Sequence, residues 1–180
     1  MTTTFGDVNV AKQIYNHTFG QNTWPPPRAP KGFKRVGSGA YRDAYLHKPS
    51  GLVYKVGDYD SNVSESYVSR KLRRKSTRGL GFELYVPRTR TYRMPSYAWN
   101  DGDAPEPMCV VVQEFAASAR HTTCELFDGW RENRKCSCRQ TPCFADILTT
   151  IEQWSEVEDI HGGNVLVDKN KTYWLIDMGS

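Results

Sequence analysis

The sequence predicts an α+β fold, because strand-like and helix-like segments occupy different parts of the chain. From Phe33 onward, short runs rich in β-forming residues are separated by turns that contain glycine, proline or asparagine. Residues 60–75 have the polar start of a helix instead, and residues 144–154 have the apolar spacing of an amphipathic helix. A chain of 180 residues is long enough to bury a core, so we expect one domain or two small lobes.

The first half of the chain predicts a short helix, three strands and a longer helix. The short helix covers residues 8–17, and the proline-rich residues 24–30 follow it as a stiff connector. The longer helix begins at Asp60-Ser61-Asn62 and extends through Lys75. The three expected strands, with a turn at 49–51 before the last, are residues 33–39, 41–48 and 52–57.

The second half predicts strands on both sides of a helical region. Residues 82–94 and 108–115 are rich in β-formers, with a loop at 95–107 between them. Residues 117–158 are expected to be mainly helical. Two short strands follow, joined by a Lys169-Asn170-Lys171 turn, at 164–168 and 172–177.

The composition is that expected of a protein without a membrane span or a secretory leader. No run of about 18 apolar residues occurs, and the first residues, MTTTFGDVNV, are polar, so we expect a cytoplasmic location. The net charge of +4 is mild. Positive charge gathers at residues 70–75, which either attract nucleic acid or phosphate or form a solvated helix face.

Four of the five cysteines lie close together in the sequence, with His121 just before them. They are Cys124, Cys136, Cys138 and Cys143. Thiolates so placed can hold a tetrahedral Zn²⁺ ion, although the C-x-C-x4-C spacing differs from that of paired C-x2-C knuckles. Ordinary reduced thiols and a redox pair are the alternatives. No disulfide framework is expected in a chain without a secretion signal.

Four short motifs carry the candidate functional residues. Gly37-Ser38-Gly39 lies between the first two strands, where glycines let backbone amides approach a phosphate closely. Lys55 lies on the third strand, within VYKV. Asp159 and Asn164 have the spacing D-x4-N, and Asp177 begins the D-M-G motif that comes thirteen residues after Asn164.

This order of parts resembles the protein-kinase-like superfamily from about Phe33 to Gly179. The glycine turn is similar to the G-x-G loop of kinases, with Arg42 in place of the third glycine. VYKV is placed like V-A-I-K, D-x4-N like H-R-D-L-x-x-x-N, and D-M-G like D-F-G.

The resemblance implies three regions and a role for each candidate residue. The regions are an N-terminal extension at 1–30, a β-rich N-lobe at 31–116 and a minimal, truncated C-lobe at 117–180. Lys55 and the glycine turn would position the phosphates of ATP, and Asp159 would orient the attacking hydroxyl. Mg²⁺ would be bound by Asn164 and Asp177. Adenine would pair with the backbone of a hinge at Glu114-Phe115-Ala116, with Gln113 at the back of that pocket.

Glu65 is the expected carboxylate partner of Lys55. It shares a helix face with Val68 and Leu72, so it should point inward with them. Two other readings remain at this stage. Asn62 and Glu65 also have the spacing of a capping box, and Glu83 is a second acid that could pair with the lysine.

The expected function is ATP-dependent phosphotransfer to Ser or Thr of a protein, or of the chain itself. Val157-Glu158 replaces the usual His-Arg, and His161 replaces a lysine, as in the D-x-H-x-x-N loop of aminoglycoside and choline kinases and of small bacterial and bacteriophage kinase-like proteins. No activation segment or A-P-E follows D-M-G in this sequence. A small-molecule kinase and a nucleotide-binding regulator without catalysis are therefore the alternatives.

Overall fold

The computed structural model describes residues 5–20, 28–39, 42–74, 82–98, 102–117, 119–121, 153 and 164–177. Within these residues the fold is α+β, as predicted, with helices and two largely antiparallel sheets. The chain divides into two compact units. The first contains residues 1–66 and 88–115, and the second contains 67–87 and 116–180.

The elements follow in the order that the sequence predicts for most of the chain. They are α1 (Val8–Phe19), β1 (Phe33–Ser38), β2 (Arg42–His47), β3 (Leu52–Asp58), α2 (Tyr59–Leu72), β4 (Leu84–Tyr85), β5 (Thr89–Tyr97), β6 (Glu106–Glu114), β7 (Arg120–His121), β8 (Val165–Val167) and β9 (Tyr173–Leu175).

The first unit is built on a five-stranded antiparallel sheet in the order β1-β2-β3-β6-β5. Side chains alternate between its two faces along each strand. Tyr54 and Val56 of β3 join Val110 and Val112 of β6 in one buried apolar cluster. Buried residues of α1 complete that cluster, namely Ala11, Ile14, Tyr15 and Phe19. Helix α1 is therefore part of the core of this unit.

Helix α1 begins at a side-chain cap provided by Asp7. Asp7 is extended, and its carboxylate accepts a hydrogen bond from the backbone N–H of Asn9 at 2.7 Å. The helix runs on to Phe19, two residues past the predicted end, because Phe19 is buried in the same cluster. Tertiary packing thus extends the helix beyond its local signal.

The side chains of β3 and β6 on the other face of the sheet are more polar, and this face contacts α2. Lys55 lies opposite Val111 in the register, and Val53 lies opposite Gln113. Asn62 of α2 donates from Nδ2 to the carbonyl of Cys109 at 3.0 Å. The contacts of Lys55 and Gln113 with α2 form the candidate site below.

Helix α2 begins one residue earlier than the sequence predicts. The carboxylate of Asp58 accepts a hydrogen bond from the backbone N–H of Ser61 at 2.8 Å, so Asp58 provides the N-terminal cap. Asn62, which the capping-box reading placed at the start, lies inside the helix and is buried. That reading is wrong, because a preceding acid already satisfies the helix start.

The second unit contains a four-stranded sheet in the order β4-β9-β8-β7. The β8 and β9 strands form an antiparallel hairpin, whereas β4 lies parallel to β9. Asp168 organises the turn of that hairpin, because its carboxylate accepts hydrogen bonds from the backbone of Asn170 and Thr172 and from the Trp174 indole. Partial burial opposes ionisation of Asp168, but these hydrogen bonds outweigh it and lower its pKa.

Two predicted segments differ from the structure. The loop expected at 95–107 is shorter, because β5 continues through Tyr97 and β6 already begins at Glu106. Arg120–His121 forms strand β7 by pairing with β8, where the sequence favours a helix. In both places, cross-strand hydrogen bonds override weak local preferences. The connector at 24–27, the helix expected at 144–154 and the four clustered cysteines lie outside the described residues.

The remaining cysteine, Cys109, is buried on β6 and is reduced. Burial raises the pKa of its thiol to about 12. It is therefore a packing residue and a poor nucleophile. Neither of the helices in the described part of the chain is long and apolar enough to cross a membrane.

We predict that Ile14→Ala lowers the free energy of unfolding by about 2–5 kcal/mol, because it opens a cavity beneath α1. Val8→Ala is the matched control, since Val8 lies on the same helix and is 42% exposed. It should change stability by no more than about 0.5 kcal/mol. Urea unfolding measures both values, and equal, small effects would show that α1 does not contribute to the core.

Candidate functional site

The structure brings Lys55 and Glu65 together in the first unit. Lys55 Nζ lies 2.5 Å from Glu65 Oε1. Both side chains are removed from water, since Lys55 is 5% exposed and Glu65 is 0% exposed. The strand alternation that buries Tyr54 and Val56 on one face directs Lys55 to the other face, towards α2.

Glu65 has two further partners that sequence reasoning missed. Arg42 Nη1 donates to Glu65 Oε2 at 2.8 Å, and Gln113 Nε2 donates to Oε1 at 3.3 Å. One buried carboxylate therefore accepts from side chains of β2, β3 and β6. In the sequence, Arg42 stands where the kinase loop has its third glycine. Comparison with that motif records a missing glycine, and it does not indicate that the arginine side chain binds Glu65.

The charges of this cluster are shielded from water, and each is compensated by a neighbouring charge of opposite sign. Burial lowers the pKa of Lys55, the Glu65 carboxylate raises it, and the nearby Arg42 charge lowers it again. Desolvating such ions is costly, and their attraction offsets that cost only when hydrogen bonds satisfy them. The three donors around Glu65, which are Lys55, Arg42 and Gln113, provide those hydrogen bonds.

The glycine-rich turn connects β1 and β2 in the same unit. Gly37 lies opposite Ala44 and Ser38 opposite Asp43, and the register shifts between Arg35 and Gly37. Gly39 donates its backbone N–H to the carbonyl of Arg42 at 2.8 Å. Gly37, Ser38 and Gly39 are all exposed, as a loop that covers a ligand requires. Ala40 and Tyr41, at the tip, lie outside the described residues.

Beneath this turn, a second ion pair anchors the hairpin on the apolar face. Arg35 Nη2 donates to Asp43 Oδ1 at 2.6 Å and to Ser38 Oγ at 2.7 Å. Tyr45 donates to the other oxygen of Asp43 at 3.2 Å. Burial, followed by the adjacent Asp43 charge, raises the pKa of Tyr45 to about 12, so the phenol keeps its proton. The hairpin base is thus held independently of Lys55.

The segment expected to form the hinge follows β6. Glu114 is engaged with Arg88: its backbone N–H donates to the Arg88 carbonyl at 3.3 Å, and its carboxylate accepts from the Arg88 backbone N–H at 2.8 Å. Ala116 is buried. Gln113 is also buried, and it donates to the same Glu65 oxygen as Lys55 does. It therefore lies on the same face of the sheet as Lys55, on the neighbouring strand.

In the second unit, Asn164 and Asp177 lie together at the open end of the β8–β9 hairpin. Asn164 Nδ2 donates to the Asp177 carbonyl at 2.9 Å, and the Ile176 N–H donates to the Asn164 carbonyl at 2.8 Å. Asn164 is 5% exposed. Two residues separated by thirteen positions are thus joined by local hydrogen bonds.

Asp177 has a backbone conformation that ordinary residues avoid. Its φ is +57°, in the left-handed region, which costs L-residues other than glycine about 1–2 kcal/mol and asparagine or aspartate less. Such conformations persist where surrounding contacts impose them, and they are concentrated at functional sites. The hydrogen bond from Asn164 to the Asp177 carbonyl is one contact that holds it there.

Glu83 is not the partner of Lys55 in the structure. Glu83 precedes β4 in the second unit. Thr172 Oγ1 donates to the Glu83 carboxylate at 3.2 Å, and the Tyr173 backbone N–H donates to the Glu83 carbonyl at 2.9 Å. These contacts hold β4 beside β9. Asp159 and the rest of the D-x-H-x-x-N loop before Asn164 lie outside the described residues, so the role of Asp159 stays a prediction.

An acidic pocket of about 430 Å³ lies near the start of α2. It is lined by Asp58, Tyr59, Asp60, Ser61, Glu106 and Pro107. Three carboxylates in one pocket repel the phosphates of a nucleotide, so this pocket is a poor candidate for the nucleotide site. In the part of the chain that the structure describes, no three His, Cys, Asp or Glu side chains are grouped so that they could hold a metal ion by themselves.

Comparison of the sequence with protein-family models and with curated proteins gave no match. Two clusters in the structure point to a function: Lys55–Glu65–Arg42–Gln113 in the first unit and Asn164–Asp177 in the second.

We predict that Glu65→Gln destabilises the protein more than Lys55→Met does. Glu65→Gln leaves two cations facing an uncharged amide, and breaking a buried pair in this way costs about 3–5 kcal/mol. Lys55→Met leaves the carboxylate paired with Arg42 at 2.8 Å, so its cost should be at least about 1 kcal/mol smaller. Denaturant unfolding of both variants measures the difference.

The control for this comparison is Arg88→Gln, which breaks an ion pair whose arginine is 50% exposed. It should cost at most about 1 kcal/mol. Equal costs for Glu65→Gln and Lys55→Met would mean that Arg42 contributes nothing to holding the buried carboxylate.

Proposed function

We propose that the protein is an ATP-dependent phosphotransferase of the protein-kinase-like type, acting on Ser or Thr of a protein or of the chain itself. The observation that carries the proposal is the buried Lys55–Glu65 pair, on the strand and the helix that follow a glycine-rich hairpin. In kinases, a strand lysine paired with a helix glutamate positions the nucleotide phosphates.

The energetics favour a functional reading of that pair. A buried ion pair is often no more stabilising than apolar residues of the same volume. Lys55 is 5% exposed in a sheet whose other buried positions are mostly apolar, and Glu65 on α2 is 0% exposed. Groups with perturbed pKa values and specific charged partners are more frequent at functional sites than elsewhere. Positioning an anionic phosphate would explain why a lysine is kept there.

The hairpin, the lysine strand and the glutamate helix also support a kinase-like first lobe. The sheet places β3 next to β6, so Lys55 and Gln113 lie on the same face. The backbone after β6 leads through Glu114 to Ala116, the segment assigned to adenine binding. In this proposal, the exposed Gly37-Ser38-Gly39 turn covers the phosphates, because its glycines let the backbone approach them closely.

The Asn164–Asp177 cluster supplies donors of the kind that Mg²⁺ requires. Mg²⁺ takes a small number of protein oxygen ligands and completes its shell with nucleotide phosphates and water. Asn164 would bind Mg²⁺ through its amide oxygen, because its Nδ2 is a donor to the Asp177 carbonyl, and Asp177 would bind it through its carboxylate. When bound, Mg²⁺ neutralises charge on the phosphates of ATP.

The reaction assigns the remaining role to Asp159. The substrate hydroxyl oxygen forms a bond to the γ-phosphorus as the bond from that phosphorus to the bridging oxygen breaks, and ADP leaves. The hydroxyl proton passes to the Asp159 carboxylate. Lys55 holds the phosphates in place, and Glu65 holds Lys55. Catalysis then consists mainly of positioning and charge stabilisation.

We predict that Asp177→Ala weakens Mg²⁺-dependent nucleotide binding by roughly tenfold or more, because a hard oxygen ligand is lost. Asp177→Gly is the matched variant. It removes the same carboxylate but adopts a φ of +57° without strain. Titration with ATP, with and without Mg²⁺, should show the same loss in both variants. Unchanged affinity for ATP·Mg²⁺ in either variant would count against the assigned ligand.

Asp159→Asn is expected to lower phosphoryl transfer by roughly two or more orders of magnitude, in line with the usual contribution of a positioned acid–base group. Binding of ATP·Mg²⁺ should stay within a few-fold, because Asp159 acts on the incoming hydroxyl. Labelled ATP, supplied with the protein alone and with a cell lysate, measures transfer. Glu158→Gln controls for loss of a neighbouring acid. If the biological effect of the protein survives Asp159→Asn, a nucleotide-binding regulator is the better description.

A further inference from the structure

Arg42 begins β2 and occupies the place of the third glycine in a G-x-G-x-x-G pattern. A glycine there has no side chain, whereas Arg42 extends a cationic side chain to α2. Its Nη1 donates to Glu65 Oε2 at 2.8 Å and, more weakly, to the Ser61 carbonyl at 3.5 Å. The side chain is only 14% exposed. This contact is therefore largely shielded from water.

The two oxygens of Glu65 have different partners. Oε1 accepts from Lys55 and Gln113, and Oε2 accepts from Arg42. A glutamate carboxylate turns readily about its last torsion. Separate donors on its two oxygens fix that torsion, and they prevent one cation from engaging both oxygens.

We propose that Arg42 is a positioning residue for phosphoryl transfer, which fixes the Glu65 carboxylate so that Lys55 binds one of its oxygens and not both. This inference rests on the proposed function of Lys55. Without Arg42, Glu65 offers both oxygens to Lys55 and holds the ammonium group more tightly, in competition with phosphate. With Arg42, the three ionic side chains carry one net positive charge, which suits an anionic ligand.

Arg42 also joins the glycine turn to the helix through a single residue. Its carbonyl accepts the backbone N–H of Gly39 at 2.8 Å, while its side chain reaches Glu65. The end of the turn and α2 are thus linked by two hydrogen bonds of the same residue. A glycine at this position lacks the side-chain half of that connection.

The effect of Arg42 on Lys55 provides a readout that a merely structural role would not change. Among the residues that the structure describes, the charges of Glu65 from α2 and Arg42 from β2 act on Lys55, while β6 contributes the uncharged Val111 and Gln113 beside them. The positive charge of Arg42 favours the neutral amine of Lys55. Removing that charge therefore stabilises the ammonium form, so Lys55 should titrate at a higher pH.

The experiment compares wild type with Arg42→Gln, Arg42→Lys and Lys34→Gln. Lys34 is an exposed cation on the same hairpin, so Lys34→Gln controls for loss of charge. The NMR chemical shift of the Lys55 ε-carbon, followed across pH without nucleotide, gives its titration profile whether or not the amine is accessible. Steady-state transfer gives kcat and the KM for ATP. A melting curve verifies that each variant is folded.

For Arg42→Gln we expect the Lys55 profile to move to higher pH and kcat/KM for ATP to fall about tenfold, the loss of one charge-assisted hydrogen bond. Arg42→Lys should recover most of both, and Lys34→Gln should change neither. If Arg42→Gln does not fold, Arg42→Gly replaces it with the same expectations. A resemblance to kinases alone would predict that restoring this glycine is harmless.

Failure of this inference and failure of the proposed function give different results. Wild-type transfer with unchanged kcat, KM and Lys55 profile in Arg42→Gln or Arg42→Gly would overturn the inference and leave the function intact. A shifted Lys55 profile in a protein that transfers no phosphate would overturn the proposed phosphotransferase activity, and with it the role of Arg42 in transfer, while confirming that Arg42 positions the pair.

Discussion

The first unit depends on one buried carboxylate, that of Glu65. It is fully removed from water and accepts hydrogen bonds from Lys55, Arg42 and Gln113, which come from three different strands. A carboxylate without these partners would be too costly to bury. The position of α2 against the sheet is therefore coupled to the side chains of β2, β3 and β6. Any arrangement that separates the helix from the sheet leaves several charges without compensation.

The two faces of the five-stranded sheet differ in chemical character. One face is apolar and is covered by α1, whose Ala11 and Ile14 are fully buried. The other carries the Glu65 cluster together with contacts such as Ser66 with Thr89, whose hydroxyl oxygens are 3.2 Å apart. Apolar packing on the first face supplies the stability that a polar second face does not. A polar network of this kind is tolerated because its strands are already held by the opposite core.

The order of elements was predictable from local periodicity and turn residues, whereas the Lys55–Glu65 contact was predicted from the resemblance to kinases. Helix spacings of three and seven then marked Glu65 as an inward-facing acid of the following helix. The parallel pairing of β4 with β9 was not predictable, since Leu84 and Tyr173 are far apart in sequence. Arg42 was read as a missing glycine, because a motif records a backbone requirement and does not show where a long side chain reaches.

The β8–β9 hairpin shows how a residue with a strained backbone can be held by short-range contacts. At its turn, Asp168 accepts from two backbone N–H groups and the Trp174 indole. At its open end, Asn164 binds the Asp177 carbonyl through its side chain and the Ile176 N–H through its backbone. Both ends of the hairpin are thus closed by hydrogen bonds that involve side chains. These contacts hold the Asp177 backbone at its φ of +57°. A ligand that binds Asp177 need not supply the ordering free energy that a flexible loop would require.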